Sequence, residues 1–447
     1  MAISIESRWT RSVRRSASYA LLLAFGIGVA IMRASTVDGL VSCSLVLLSL
    51  VWLHSKIRHL GHISLGGVTL WLTLVFFLGK WFLLGEDMPP LVTGPRATRE
   101  ATLAVVAYGS LAFAVGYRRG GHRLRAFVQS ASIRRHADVS ARPLIVVGLA
   151  VVLLRLYAAG RWHIGVPSRA PRPIPLRGML FFATTVVPPL VSASLKLKGD
   201  ERGGSSLLIR AGAGILLLHT AVGVLIGWRG EPLRNALVWI AASRGSGAIA
   251  RSRHEIGRLL AIGVGIFLAV GIALTFRGLG ANESGGPAEV AQFLFERIGG
   301  IDYLTPVVGQ VEIYGTDARL LDQKQWDNFL KRRVHGISEG AQVSFAGTAF
   351  GWWYASLGSL GVIAGSLAAG SLCSIVDRGL SQSDRHRHLG YNLLFVGIVL
   401  VWSNFFLEGN GVTSLKSLVA VVFVWGGICA YFRLGGQQSL QSFAQRS

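Results

Sequence analysis

Arginines at the edges of apolar runs are the residues of this chain best placed to do chemistry. A guanidinium stays charged at any physiological pH and offers a planar fork of donors that matches phosphate oxygens. Ionisable groups in or near membrane-length runs are costly unless they are paired or used. Arg229 lies in Gly227-Trp228-Arg229-Gly230-Glu231-Pro232-Leu233, between two apolar segments, where glycine and proline let the backbone turn sharply. Anion binding and an interfacial ion pair with Glu231 are both open to it. Arg277 follows Phe276 where another apolar run ends, and either binds an anion or snorkels to the interface. Arg155 stands inside an apolar run, and Arg161, Arg169, Arg172 and Arg177 follow it in a proline-containing loop; together they form a second basic patch able to meet an anion or lipid head groups.

Arg297 has the most suggestive surroundings. Between Ala288 and Ile301, the apolar residues Val290, Ala291, Leu294, Phe295, Ile298 and Ile301 share one helical arc, opposite Glu289, Gln292 and Glu296. The pattern predicts a helix lying in the membrane interface. Arg297 stands at the border of its two faces, with Gly299-Gly300 ending the helix and Asp302-Tyr303 beyond, so a cation, a carboxylate and an aromatic ring come together. Further on, Glu312, Tyr314, Asp317, Trp326, Phe329, Lys331, Arg332, Arg333, His335 and Glu339 make a mixed polar and aromatic cluster. It suits either a sugar or plain solvent. His335 and Glu339 are its candidate general bases, since each can accept a hydroxyl proton.

The elements that must position these groups are helices. Of 447 residues, 51% are hydrophobic and 15% charged, and mean hydropathy is +0.50. Apolar runs bounded by charge predict spans near 17–32, 39–53, 65–84, 101–117, 142–159, 178–195, 207–227, 230–243, 259–275, 350–375, 390–407 and 412–432. The expected fold is therefore all-α: a polytopic membrane helix bundle of about twelve transmembrane helices, with one large extracytoplasmic loop containing short amphipathic helices. Its parts are nine helices over 1–275, the loop over 276–349, and three helices with a cytoplasmic tail over 350–447. The first run follows a basic segment and reads as a signal anchor.

Charge sets the orientation. The chain has a formal net charge of +23, but with a cytoplasmic N-terminus the inner segments hold 25 basic and 7 acidic residues and the outer segments 15 of each. That is the positive-inside bias, and it predicts both termini in the cytoplasm and the 276–349 loop outside. It also removes any need for a nucleic-acid partner to explain the charge. Gly245-Ser246-Gly247 and Gly203-Gly204-Ser205-Ser206 lack the setting of a phosphate loop. Cys43, Cys373 and Cys429 all fall in apolar runs and form neither a disulfide framework nor a metal-ligand spacing. No cofactor and no metal are expected. The pairs Gly347/Gly351 and Gly361/Gly365 predict close helix packing.

The combined pattern resembles the bacterial polysaccharide polymerases of the Wzy type, also described as O-antigen or oligosaccharide repeat-unit polymerases. The likeness is carried by the many spans, the single large outer loop, Trp228-Arg229-Gly230, Glu296-Arg297-Ile298-Gly299-Gly300-Ile301-Asp302-Tyr303-Leu304, and Gly347-Thr348 leading into Gly351-Trp352-Trp353-Tyr354. The related O-antigen ligases share this architecture and an Arg-x-x-x-Leu element, which Arg229 to Leu233 satisfies. The chain departs from their outer-loop pattern in having Gly336 directly after His335.

The resemblance implies transfer of an oligosaccharide from undecaprenyl pyrophosphate, or a similar polyprenyl-pyrophosphate carrier, onto a second lipid-linked unit outside the bacterial cytoplasmic (inner) membrane. Arg229, Arg277, Arg297 and Arg155, with Tyr303 and Tyr354, would bind substrate. Asp302, His335 or Glu339 would take the acceptor proton. Membrane lipids, a chain-length regulator and a flippase are the partners it implies. A ligase moving polymer to lipid A-core, and a flippase or transporter of lipid-linked sugar, are the alternative expectations.

Overall fold

The computed structural model describes residues 37–57, 64–79, 99–119, 140–161, 177–201, 205–226, 231–243, 300–334, 336, 347–381, 389–409 and 411–444. Among these residues there is no strand, and twelve α-helices carry the architecture. They are α1 (Val37–Ile57), α2 (Leu65–Leu72), α3 (Arg99–Arg119), α4 (Arg142–Arg161), α5 (Arg177–Glu201), α6 (Ser206–Ile226), α7 (Glu231–Ser243), α8 (Gly300–Tyr314), α9 (Gln323–Phe329), α10 (Ala349–Ser381), α11 (Leu389–Glu408) and α12 (Gly411–Ala444). Six of them, α1, α3, α6, α10, α11 and α12, are long and apolar enough to cross a membrane. The chain is thus an all-helical protein of membrane-embedded character. The spans expected at 17–32 and 259–275, and the interfacial helix at 288–301, fall largely or wholly outside the described residues.

The chain divides into two compact units. The first comprises residues 1–121, 298–336 and 347–375. Within it α1 packs along α3, and α3 meets α10 at two glycines. A Cβ on Gly116 would strike the carbonyl of Leu367, and one on Gly370 would strike that of Phe113. Ser371 seals the crossing by donating its hydroxyl to Gly116 O at 3.2 Å. This is the small-residue packing expected between membrane helices, though not at the glycines the spacing singled out. Gly347 makes room for the ring of Trp326, Gly351 faces the side chain of Leu304, and Gly365 makes room for the ring of Trp353. Those glycines admit side chains, not a neighbouring helix backbone.

The span expected at 350–375 lies within α10, which has 33 residues and is long and apolar enough to cross a membrane. It breaks at Gly358, whose φ of 66° and ψ of −154° are open to glycine and strained for any other residue. The segment before the break is tied to the polar insert: Asp317 N donates to Ala355 O at 3.0 Å, and Trp352 Nε1 donates to Leu320 O at 2.8 Å. In that insert Asp317 caps a short 3-10 turn and Asp322 caps α9. Trp326, fully buried, anchors it.

The second unit comprises residues 122–297, 337–346 and 376–447. Helices α4, α5 and α6 pack on one another, α7 lies against α5, α6 and α11, and α12 pairs with α11 and α5. Small residues again set the closest approach: Ser192 donates its hydroxyl to Gly212 O at 2.7 Å, joining α5 to α6. At the far end of α5 from its first turn, Lys196 lies 4.8 Å from the Trp239 ring and Lys198 lies 4.7 Å from the Phe432 ring. Aromatic faces there offset part of the cost of burying two ammonium groups.

Candidate functional site

The second unit holds a buried ionic cluster built from five helices. Helix α4 contributes Arg155, α6 His219 and Thr220, α7 Glu231, Arg234 and Asn235, α5 the carbonyl of Thr184, and α11 Asn404 and Glu408. Arg155, His219, Glu231 and Arg234 are 3%, 1%, 2% and 6% exposed. Charges so deep are rare and usually functional.

The local sequence explains why the cluster forms where it does. Pro188 and Pro189 lie inside α5. A proline has no N–H, so each leaves the carbonyl four residues earlier without its helical donor. For Pro188 that carbonyl belongs to Thr184, and His219 Nε2 lies 2.8 Å from it. A carbonyl only accepts, so Nε2 carries the proton. The other ring nitrogen is fixed independently. Thr220 donates its hydroxyl to Leu216 O at 2.7 Å, so its oxygen accepts from Asn235 Nδ2 at 2.7 Å, and the same amide nitrogen donates to His219 Nδ1 at 3.1 Å. His219 is therefore the neutral Nε2–H tautomer, with both nitrogens engaged.

Arg155 reaches past this ring to Glu231. Its Nη1 comes within 2.5 Å of His219 Nε2, and its Nη2 is 2.6 Å from Glu231 Oε1. Of these two neighbours the carboxylate is the one that balances the guanidinium's charge. Neither oxygen of Glu231 is hydrogen-bonded by a described residue, so Oε1 is held by charge. Oε2 presses on Gly223, where any side chain would overlap the carboxylate. Arg234 Nη2 stands 3.9 Å from Glu231 Oε1, while its Nη1 bonds Asn404 Oδ1 and approaches Glu408 Oε1 at 3.5 Å. Glu408, its side chain 39% exposed, forms the open edge. The arrangement can hold an anion: two guanidiniums converge on one deep carboxylate, and a second carboxylate sits where it can turn to solvent.

Of the residues expected to bind substrate, Arg155 belongs to this cluster. Tyr303 on α8 and Tyr354 on α10 are half-buried in the first unit, where Tyr354 is within electrostatic reach of Glu312. Asp302 begins α8, and its side chain is not among the described ones; Arg229, Arg277, Arg297, His335 and Glu339 lie outside the described residues. Glu231, read only as a partner for Arg229, pairs with Arg155 among the described residues. His219, Arg234, Asn235, Asn404 and Glu408 were missed as site residues. A lone His in an apolar run, Arg234 in a short one, and the Pro188-Pro189 pair were the available signals.

The polar insert of the first unit is different in kind. Arg319 donates to Asp317 at 2.9 to 3.2 Å through Nε and Nη2, with the arginine side chain 84% exposed. These bonds hold the Asp317 carboxyl below the usual carboxylate range. Burial pushes that of Asp327 up, against the opposing charge of Lys331. Arg333 lies 5.3 Å from the exposed Tyr314 ring. Among the described residues no group of three His, Cys, Asp or Glu side chains could hold a metal ion. Comparison of the chain with protein-family models, with curated proteins and with solved structures gave no match.

Proposed function

We propose that the chain is a polytopic membrane glycosyltransferase of the bacterial inner membrane that joins polyprenyl-pyrophosphate-linked oligosaccharide units into a longer glycan at the outer face. In this reading it crosses the bilayer about twelve times with both termini cytoplasmic. The observation that carries the proposal is the convergence of Arg155 and Arg234 on Glu231, buried among helices of which α6 and α11 are long and apolar enough to cross a membrane. When a glycosidic bond to a lipid pyrophosphate breaks, negative charge builds on the leaving group. Fixed guanidiniums in a dry site stabilise that charge more in the transition state than in the ground state. His219 is no base here, because both its nitrogens are engaged.

The test is the surface glycan of a deletion strain complemented with Arg155→Ala or Arg234→Ala at matched protein level. A polymerase loses its long-chain ladder and still displays single repeat units. Polymer made but left unattached would identify a ligase. An intact ladder in both variants would overturn the assignment of the cluster.

One observation favours a second reading, transport of a lipid-linked sugar. Buried charge recurs at another depth of the second unit, where Lys196 meets Trp239 and lies 3.7 Å from Asp200. Trp239 is eight residues along α7 from Glu231, about 12 Å at the helical rise. A transporter needs such groups along its path. Its deletion strain would display no repeat unit and would accumulate the unit on the cytoplasmic side.

A further inference from the structure

We propose that binding of a diphosphate diester at Arg155 and Arg234 is coupled to uptake of one proton by Glu231. The inference rests on the anion-binding reading of the cluster and adds to it a stoichiometric link to pH.

The charges at the site set the argument. Facing Glu231 are Arg155 from α4, neutral His219 from α6 and Arg234 from its own helix; α11 presents Glu408 and Asn404 beside Arg234, and α5 presents the uncharged Thr184 carbonyl. The lysines and Asp200 of α5 belong to its opposite end. Among the described residues, two guanidiniums and two carboxylates make the unliganded cluster neutral. A diphosphate diester brings two negative charges. Glu408 can offset one of them by turning its half-exposed carboxylate from Arg234 into water. Glu231 has no such exit. It is 2% exposed and wedged against Gly223. Once the diester engages the guanidiniums, the Glu231 carboxylate is a buried charge without a cation of its own, and such a group neutralises itself. The proton comes from bulk water. With one charge offset by the departure of Glu408 and one by this proton, the loaded site is neutral again. His219 cannot take the proton, since Asn235 Nδ2 points its hydrogen at the only free ring nitrogen.

The sign follows. A complex that takes up a proton weakens as pH rises, by about tenfold per pH unit where uptake is one.

The experiment uses the full-length protein in lipid nanodiscs, titrated with a short-chain prenyl diphospho-sugar. That diester keeps both charges through the neutral range, so it releases no proton itself. Calorimetry in two buffers of different ionisation enthalpy gives the protons taken up per ligand bound. The expected result is one for the wild type and none for Glu231→Gln, with affinity in the variant nearly independent of pH. Binding by the wild type without proton uptake overturns the coupling alone, and uptake that survives Glu231→Gln assigns the proton elsewhere and also overturns it. Failure of the wild type to bind the diester removes the anion-site reading and the coupling together.

Discussion

Two arginine–carboxylate pairs in this molecule invite comparison. Arg319 and Asp317 have the better hydrogen-bond geometry, with both oxygens engaged, yet they lie on the surface of the polar insert. Arg155 and Glu231 lack an aligned hydrogen bond but are almost wholly buried in the second unit. Alignment and energetic weight are thus uncoupled. Water screens the well-aligned pair, while in the interior what matters is how much is lost when one charge is left alone.

Glu231→Ala should break the comparison most forcefully. It removes the carboxylate 2.6 Å from the buried Arg155 and should destabilise the protein by about 3–5 kcal/mol, seen as a large drop in thermal unfolding midpoint in detergent. Arg155→Met combined with Glu231→Met should recover much of that loss, because replacing both buried charges is far less damaging than removing one. A single-variant midpoint within the range of surface substitutions would contradict the weight given to the cluster.

His219→Leu comes next. It removes the ring contacts with the Thr184 carbonyl and the Asn235 amide and should cost about 1–3 kcal/mol. The first unit offers a control that involves no charge. Gly358→Ala forces a side chain into a conformation that costs about 1–3 kcal/mol, and the midpoint should fall although no ion pair is touched.

Asp317→Asn should have the smallest effect. The carboxyl is held below its usual range in the folded protein, so its contribution is present above the unfolded value and lost as pH falls through the folded one. Because the pair is solvent-exposed, the variant should match the wild type at neutral pH in high salt and diverge from it only at low salt. Comparing unfolding midpoints across pH and ionic strength checks both.

The helices were legible because apolar runs bounded by charge are a local property. Those read at 39–53, 101–117, 207–227, 390–407 and 412–432 correspond to α1, α3, α6, α11 and α12. The break at Gly358 was not, since any glycine in an apolar run is compatible with an unbroken helix. Nor was the cluster. Arg155 and His219 are 64 residues apart, and Arg234 and Asn404 are 170. No periodicity links positions so distant. Attention to residues at the ends of runs found Arg155 and passed over His219, in the middle of one, although an ionisable group there has the greater need of partners.

Pro188 and His219 bear on one another as a lock does on its key, and that has an evolutionary reading. The histidine supplies the donor that the proline withholds from Thr184. Restoring an N–H by Pro188→Ala would return the carbonyl to its own helix and make the imidazole partly redundant. His219→Leu should therefore be far better tolerated in the Pro188→Ala background than alone. Across descendants of this sequence the two sites are expected to drift together, each substitution permissive only after the other.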